Sequence, residues 1–185
     1  MEKKNVLVSA DTHTHVYDNG ICECGAYEEA GWDQTVHGGW TVGNAGQLLW
    51  IIDKQNSGTL KNRIVITKDI TMPANISYVP LGNAEYPFYV DIKTYDNEIR
   101  TINLNNQTIT KSNYGFIGFA KGSSTDKVLI QNIKITGNFN VTSTCENIAG
   151  VIGLAENNVE LKNVEYYIIC GYSSKKQGLV EETLK

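Results

Sequence analysis

The chain has 185 residues, of which 41% are hydrophobic and 19% charged, with a formal net charge of −4. That length suits one domain with at most a small appendage. The negative balance, without a basic block, argues against a nucleic-acid partner, and no apolar run reaches the roughly 18 residues that a membrane span needs.

Low charge with abundant Ile, Val, Thr, Asn and Tyr favours strands and polar turns over helices. The first ten residues, Met1 to Ala10, open on charges and carry an apolar stretch too short for a secretion signal. Residues 1–39 are rich in His, Cys, Gly and acids, and no periodicity is sustained. They read as a small irregular module plus a linker, punctuated by Gly38-Gly39.

Inside that module His13, His15, Cys22 and Cys24 form His-x-His-x6-Cys-x-Cys. Two imidazoles and two thiolates are a tetrahedral zinc set. Side chains at i and i+2 of an extended segment point the same way, so each pair can converge on one ion. Gly20 and Gly25 let the backbone turn tightly around it. So small a segment buries little, and a metal or crosslink is expected to supply what a core cannot. A module without metal, or a disulfide from Cys22 or Cys24 to a distant cysteine, remain alternatives, and His37 is a spare ligand that could replace His13. Catalytic zinc would need an open coordination position and a nearby base. Glu23, Glu28 and Glu29 are at hand, but acids beside a turn are usually solvated.

Residues 40–172 read as the main domain. Asn44 is a good helix N-cap, and Leu48, Leu49, Ile51 and Ile52 form one apolar face, which predicts a helix over about 44–55, ended by Asn56-Ser-Gly58. From Arg63 the pattern changes to short strands with polar turns, at 63–67, 88–93, 99–104, 107–110, 116–119, 128–136, 138–142, 150–154 and 159–169. Two stretches recur: residues 115–120 read GFIGFA and residues 150–155 read GVIGLA. Each is followed by a β-rich segment with a central asparagine, Asn132 in residues 128–135 and Asn163 in residues 159–166. A recurrence with its insertions confined to turns means stacked coils. The expected fold is therefore all-β, a short right-handed parallel β-helix (β-solenoid) with the helix as N-terminal cap; a β-sandwich is the alternative. Asn132 and Asn163 are expected to stack into a hydrogen-bonded ladder. The polar tail, residues 173–185, lacks a third copy, so it caps the last coil, or further chain or another subunit covers that coil by self-association.

Other features weigh less. Cys145 and Cys170 read as small buried hydrophobes or as a crosslink between coils. Trp32, Trp40 and Trp50 read first as core and cap packing, and with the tyrosines as a sugar-stacking surface in the alternative. Tyr86, Phe88, Tyr89 and Tyr95 cluster in a stretch without repeat character, where a ligand surface on a rigid scaffold is expected. Asp91, Asp96 and Glu98 are close in sequence, but no stacking of acids from repeat to repeat marks a lyase or glycosidase site.

Two stretches carry a family resemblance. Residues 11–28, with His13, His15, Tyr17, Cys22, Cys24 and Gly25, are similar to a short His-x-Tyr…Gly-x-Cys…Cys-Gly module of surface proteins from gut anaerobes. The run from Asn44-Ala-Gly-Gln-Leu48 through Lys68-Asp-Ile-Thr71, Val79-Pro-Leu-Gly82 and Leu104-Asn-Asn-Gln-Thr-Ile109 to the two repeats resembles the GLUG-repeat adhesin-like β-helix domains. The resemblance implies an extracellular or surface-displayed fragment. It also implies a non-catalytic role in adhesion, ligand binding or structural display, toward a host or microbial surface glycan or protein. A carbohydrate-active β-helix enzyme, or a self-assembling component with an open β edge, are the alternatives.

Overall fold

The computed structural model describes residues 13–34, 38–142 and 144–172. Its elements, in chain order, are β1 (Tyr17–Asp18), β2 (Ile21–Cys22), β3 (Gly31–Asp33), β4 (Gly39–Val42), α1 (Ala45–Asn56), β5 (Arg63–Ile66), β6 (Ile70–Thr71), β7 (Ile92–Thr94), β8 (Arg100–Ile109), β9 (Ile117–Lys121), β10 (Val128–Val141), β11 (Ile152–Glu156) and β12 (Val159–Tyr172). The expected tail cap and His37 lie outside the described residues.

The chain is a parallel β-solenoid of about three turns. It returns to one ladder at Ile64, Ile92, Ile130 and Leu161. A second ladder runs through Ile70, Ile102, Ile135 and Tyr166. A third pairs Ile109 with Val141 and Val141 with Tyr172, and a fourth links Leu81, Ile117 and Ile152. Parallel strands need a crossover of a dozen or more residues, and each turn of the solenoid supplies one. Inward positions hold Ile, Leu, Val and Phe stacked on like residues, and these make the buried core.

The sequence repeat is the register itself. Val128 faces Val159 and Ile133 faces Val164, while Ile117 faces Ile152 and Phe119 faces Leu154. Between the flat segments the backbone must bend, and asparagine does it. Asn132 and Asn163 have φ of 58° and 52°, a left-handed conformation that asparagine tolerates better than most residues. Asn163 Nδ2 donates to Asn132 Oδ1 at 2.9 Å. The expected ladder is present, on the outside of the corner. A second pair stacks likewise: Asn147 Nδ2 donates to Asn113 Oδ1 at 2.7 Å, both residues being at φ 57°.

The two ends differ. At the N-terminal end α1 crosses from β4 to the parallel β5 and buries Leu48, Leu49, Ile51 and Ile52. Asn44 caps it, accepting from the Gln47 N–H at 2.9 Å. Its last turn bonds peptide groups of the first coil. Gln55 Nε2 donates to Tyr86 O at 3.0 Å and Pro87 O at 3.2 Å. Asn56 Nδ2 donates to Pro80 O at 3.0 Å, and its Oδ1 accepts from the Gly82 N–H at 2.9 Å. The helix thereby satisfies backbone groups that an open edge strand would leave unpaired. At the other end β12 pairs with β10 on one side. Leu161 shares a ladder position with the fully buried Ile130, yet is 48% exposed.

Candidate metal centre

Residues 13–28 fold as a hairpin with its own logic. The Asn19-Gly20 dipeptide has φ of 47° and 76°, the double positive-φ pair that a two-residue type I′ turn demands. It joins β1 to β2, with Tyr17 opposite Cys22 and Asp18 opposite Ile21. Carried outward, this register sets His15 against Cys24, while the i, i+2 rule puts His13 beside His15 and Cys22 beside Cys24. Past Cys22 the chain turns through Gly25, at φ 89°, with the Gly25 N–H donating to Cys22 O at 2.8 Å.

The four donor atoms lie within 4.8 Å of one another. Cys22 Sγ is 3.6 Å from His13 Nε2 and Cys24 Sγ is 3.4 Å from His15 Nδ1. With Zn–S near 2.3 Å and Zn–N near 2.05 Å, a tetrahedral site has an S···N edge of about 3.5 Å. The donor set therefore suits a tetrahedral ion in chemistry, its two S···N contacts match such an edge, and it can hold a metal. Electrostatics agree. The Cys24 backbone N–H, then the His13 and His15 rings, bring the Cys22 thiol down from 9.0 to about 6, against the opposing effect of its desolvation. A thiol so poised is largely thiolate at neutral pH, the form that binds metal. Three of the donors, His13, Cys22 and Cys24, border a cleft of about 550 Å³ that also touches Val16, Tyr17 and Ile21.

The hairpin is seated on the solenoid by contacts that sequence reasoning missed. Asn19 Oδ1 and O accept from the Ala45 and Gly46 N–H groups at 3.2 and 3.0 Å, and Asn19 Nδ2 donates to Thr71 O at 3.0 Å. Glu28 accepts from Asn44 Nδ2 at 2.7 Å and from Gln47 Nε2 at 3.1 Å. The first turn of α1 leaves donors unsatisfied, and the hairpin fills them. A Cβ on Gly46 would sit 1.7 Å from Gly20 O, so glycine is required there by close approach. The one legible signal was Asn19-Gly20 itself, a hairpin turn between short extended segments.

The other sequence-chosen residues fare differently. Phe88 is fully buried, bridges to Ala120 and belongs to the core; it is removed from the ligand-surface set, because its position turns into the coil. Tyr86 is half-buried and its ring covers Gly58 at the end of α1. Tyr89 and Tyr95 stay exposed. Asp91 Oδ1 accepts from the Leu129 N–H at 2.9 Å and Asp96 pairs with Arg100, so both acids serve the scaffold. All four cysteines are thiols rather than cystines. No family model, curated protein or solved structure matches the chain.

Proposed function

We propose that this protein is a non-catalytic display module of a bacterial surface protein. In this reading a rigid solenoid carries a ligand-binding surface, and a structural zinc ion fastens the N-terminal hairpin. The observation that supports it most is the donor set: His13, His15, Cys22 and Cys24 lie within 4.8 Å of one another, with S···N distances of 3.6 and 3.4 Å. A full set of protein ligands leaves no open position for substrate, the mark of a structural ion. The scaffold roles of Asp91 and Asp96 point the same way, since hydrolysis on a β-helix wants carboxylates free to converge. The expected ligand is a host or microbial surface glycan or protein, the expected location extracellular or on the cell surface, and the resemblance to GLUG-repeat adhesins is consistent with both.

The decisive experiment combines elemental analysis with activity screening. Protein purified without tag or chelator should carry one zinc per chain, bind members of a glycan or surface-protein array, and leave polysaccharide substrates uncut. Zinc-dependent turnover of any polysaccharide would overturn the reading. A second reading, self-association, is favoured by the exposed Leu161, Tyr167 and Ile169 on the last coil; sedimentation analysis of wild type and Leu161→Asp distinguishes it.

A further inference from the structure

Trp32, Trp40 and Trp50 are the only tryptophans in the chain, and the fold gathers them at the capped end. Trp32 and Trp40 oppose one another across β3 and β4, with ring centroids 5.0 Å apart. Trp50, on α1, meets Trp40 at 5.1 Å. The Trp40 indole N–H donates to Lys61 O at 2.9 Å, which fixes that ring. Beside them is a cleft of about 190 Å³, lined by Glu29, Trp40, Trp50, Lys54, Thr59 and Leu60. The tyrosine-bearing insertion reaches the same place, since the Tyr89 hydroxyl donates to Leu60 O at 2.6 Å.

Three indoles that served the core alone would be covered. Here Trp32 is 42% exposed, Trp40 and Trp50 are half-buried, and the apolar surface is rimmed by a carboxylate, an ammonium and a hydroxyl. We infer that this cleft is a carbohydrate subsite for one pyranose ring. The inference rests on the ligand-binding reading above and names its site and ligand class. A pyranose has an apolar C–H face and a rim of hydroxyls. Indole faces take the first; Glu29 accepts from the rim, Lys54 donates to it, and Thr59, whose proton goes to Lys54 O at 3.1 Å, accepts. The volume falls below the roughly 300 Å³ at which pockets for drug-sized ligands begin, so the cleft fits a single ring of a longer chain. A cationic ligand is disfavoured because Lys54 Nζ already lies 5.0 Å from the Trp50 centroid. A wholly apolar ligand would strip water from Glu29 and Lys54 without replacing it.

Because all three indoles lie at this end and Trp40 and Trp50 line the cleft, intrinsic tryptophan fluorescence is sensitive to its occupancy. The full-length chain is titrated with methyl glycosides of hexoses and N-acetylhexosamines and with their short oligomers, and the same sugars are tested by calorimetry. The expected result is a saturable fluorescence change, with affinity falling about tenfold in Trp50→Leu and in Lys54→Met, and no fall in Glu165→Gln on β12. Glu29→Gln, an exposed isosteric change, keeps the test open if Trp50→Leu does not fold. Sugar binding at full strength in both Lys54→Met and Glu29→Gln overturns this site while the ligand-binding reading stands. Failure of every sugar overturns the carbohydrate inference; binding to a protein on the array would then still sustain the display module, and silence there would sink both.

Discussion

At the scale of single residues, the thiols give the sharpest expectations. Cys22→Ala and Cys24→Ser should each abolish stoichiometric zinc, read by elemental analysis. The pH dependence has a definite sign. The folded-state pKa of Cys22, about 6, lies below its ordinary 9.0. The metal-free fold therefore draws stability from this thiol that is complete above pH 9 and is lost as the pH falls through about 6. Zinc, which needs the thiolate, should be retained at neutral pH and released as acid protonates its ligands, as followed with a chromogenic chelator. A contrasting residue is Thr94, fully buried on β7, whose hydroxyl has no partner among the described residues. An unpaired buried hydroxyl costs about 1–3 kcal/mol, so Thr94→Val should leave stability unchanged or raise it by about 1 kcal/mol in urea unfolding. The convergence of His13, His15, Cys22 and Cys24 was legible in the sequence because His-x-His and Cys-x-Cys obey a two-residue period that needs no tertiary information. Glu28 and Asn19 were not, because their partners lie on α1 and β6, and no local pattern announces a contact made across the fold.

At the scale of elements, α1 and the hairpin form one seal. Gly46→Ala would drive a methyl group into Gly20 O and should cost about 1–3 kcal/mol, typical of overpacking. Since it unseats the hairpin, zinc should also leave faster in a competition assay. Gln55→Ala should cost a similar amount, for it removes the donor shared by Tyr86 O and Pro87 O from a site where water cannot replace it. The helix itself was readable: Asn44 as N-cap and the Leu48/Ile51/Ile52 face place it at 44–55, one residue from the observed Ala45–Asn56. The strands were readable in position but not in continuity. Segments expected separately at 128–136 and 138–142 are one strand, β10, because the corner at Gly137 bends the chain without ending the ladder. β3 and β4 went unseen in a stretch without alternation. Trp32 and Trp40 look like scattered aromatics there until their cross-strand register is known.

For the whole molecule, the sealed N-terminal end and a last coil that pairs on one side only among the described residues set a gradient of order. Hydrogen exchange should be slowest at amides of β7, β8 and β10, whose strands are flanked on both sides, and faster along β12. Uniform protection would contradict the end asymmetry. Alkali probes the interior. Burial lifts Tyr78 well above the usual 10.0 and raises Tyr114 as well. The Tyr78 hydroxyl donates to Phe116 O at 2.7 Å and that of Tyr114 to Tyr78 O at 2.9 Å. A folded state that keeps its phenols protonated loses stability as the pH climbs past 10, where the unfolded chain ionises them. Denaturation midpoints should decline there, less steeply in Tyr114→Phe.

The in-phase stacking of residues 128–158 upon the coils around them has an engineering consequence. The height of such a solenoid is a dial turned in steps of one strand spacing, about 4.8 Å. Duplicating residues 128–158 in place should lengthen the particle by one such step, visible in solution scattering, while the hairpin, the tryptophans and the final coil keep their own surroundings. The distance between the two ends is thus written as a number of turns, and it can change without any redesign of either end.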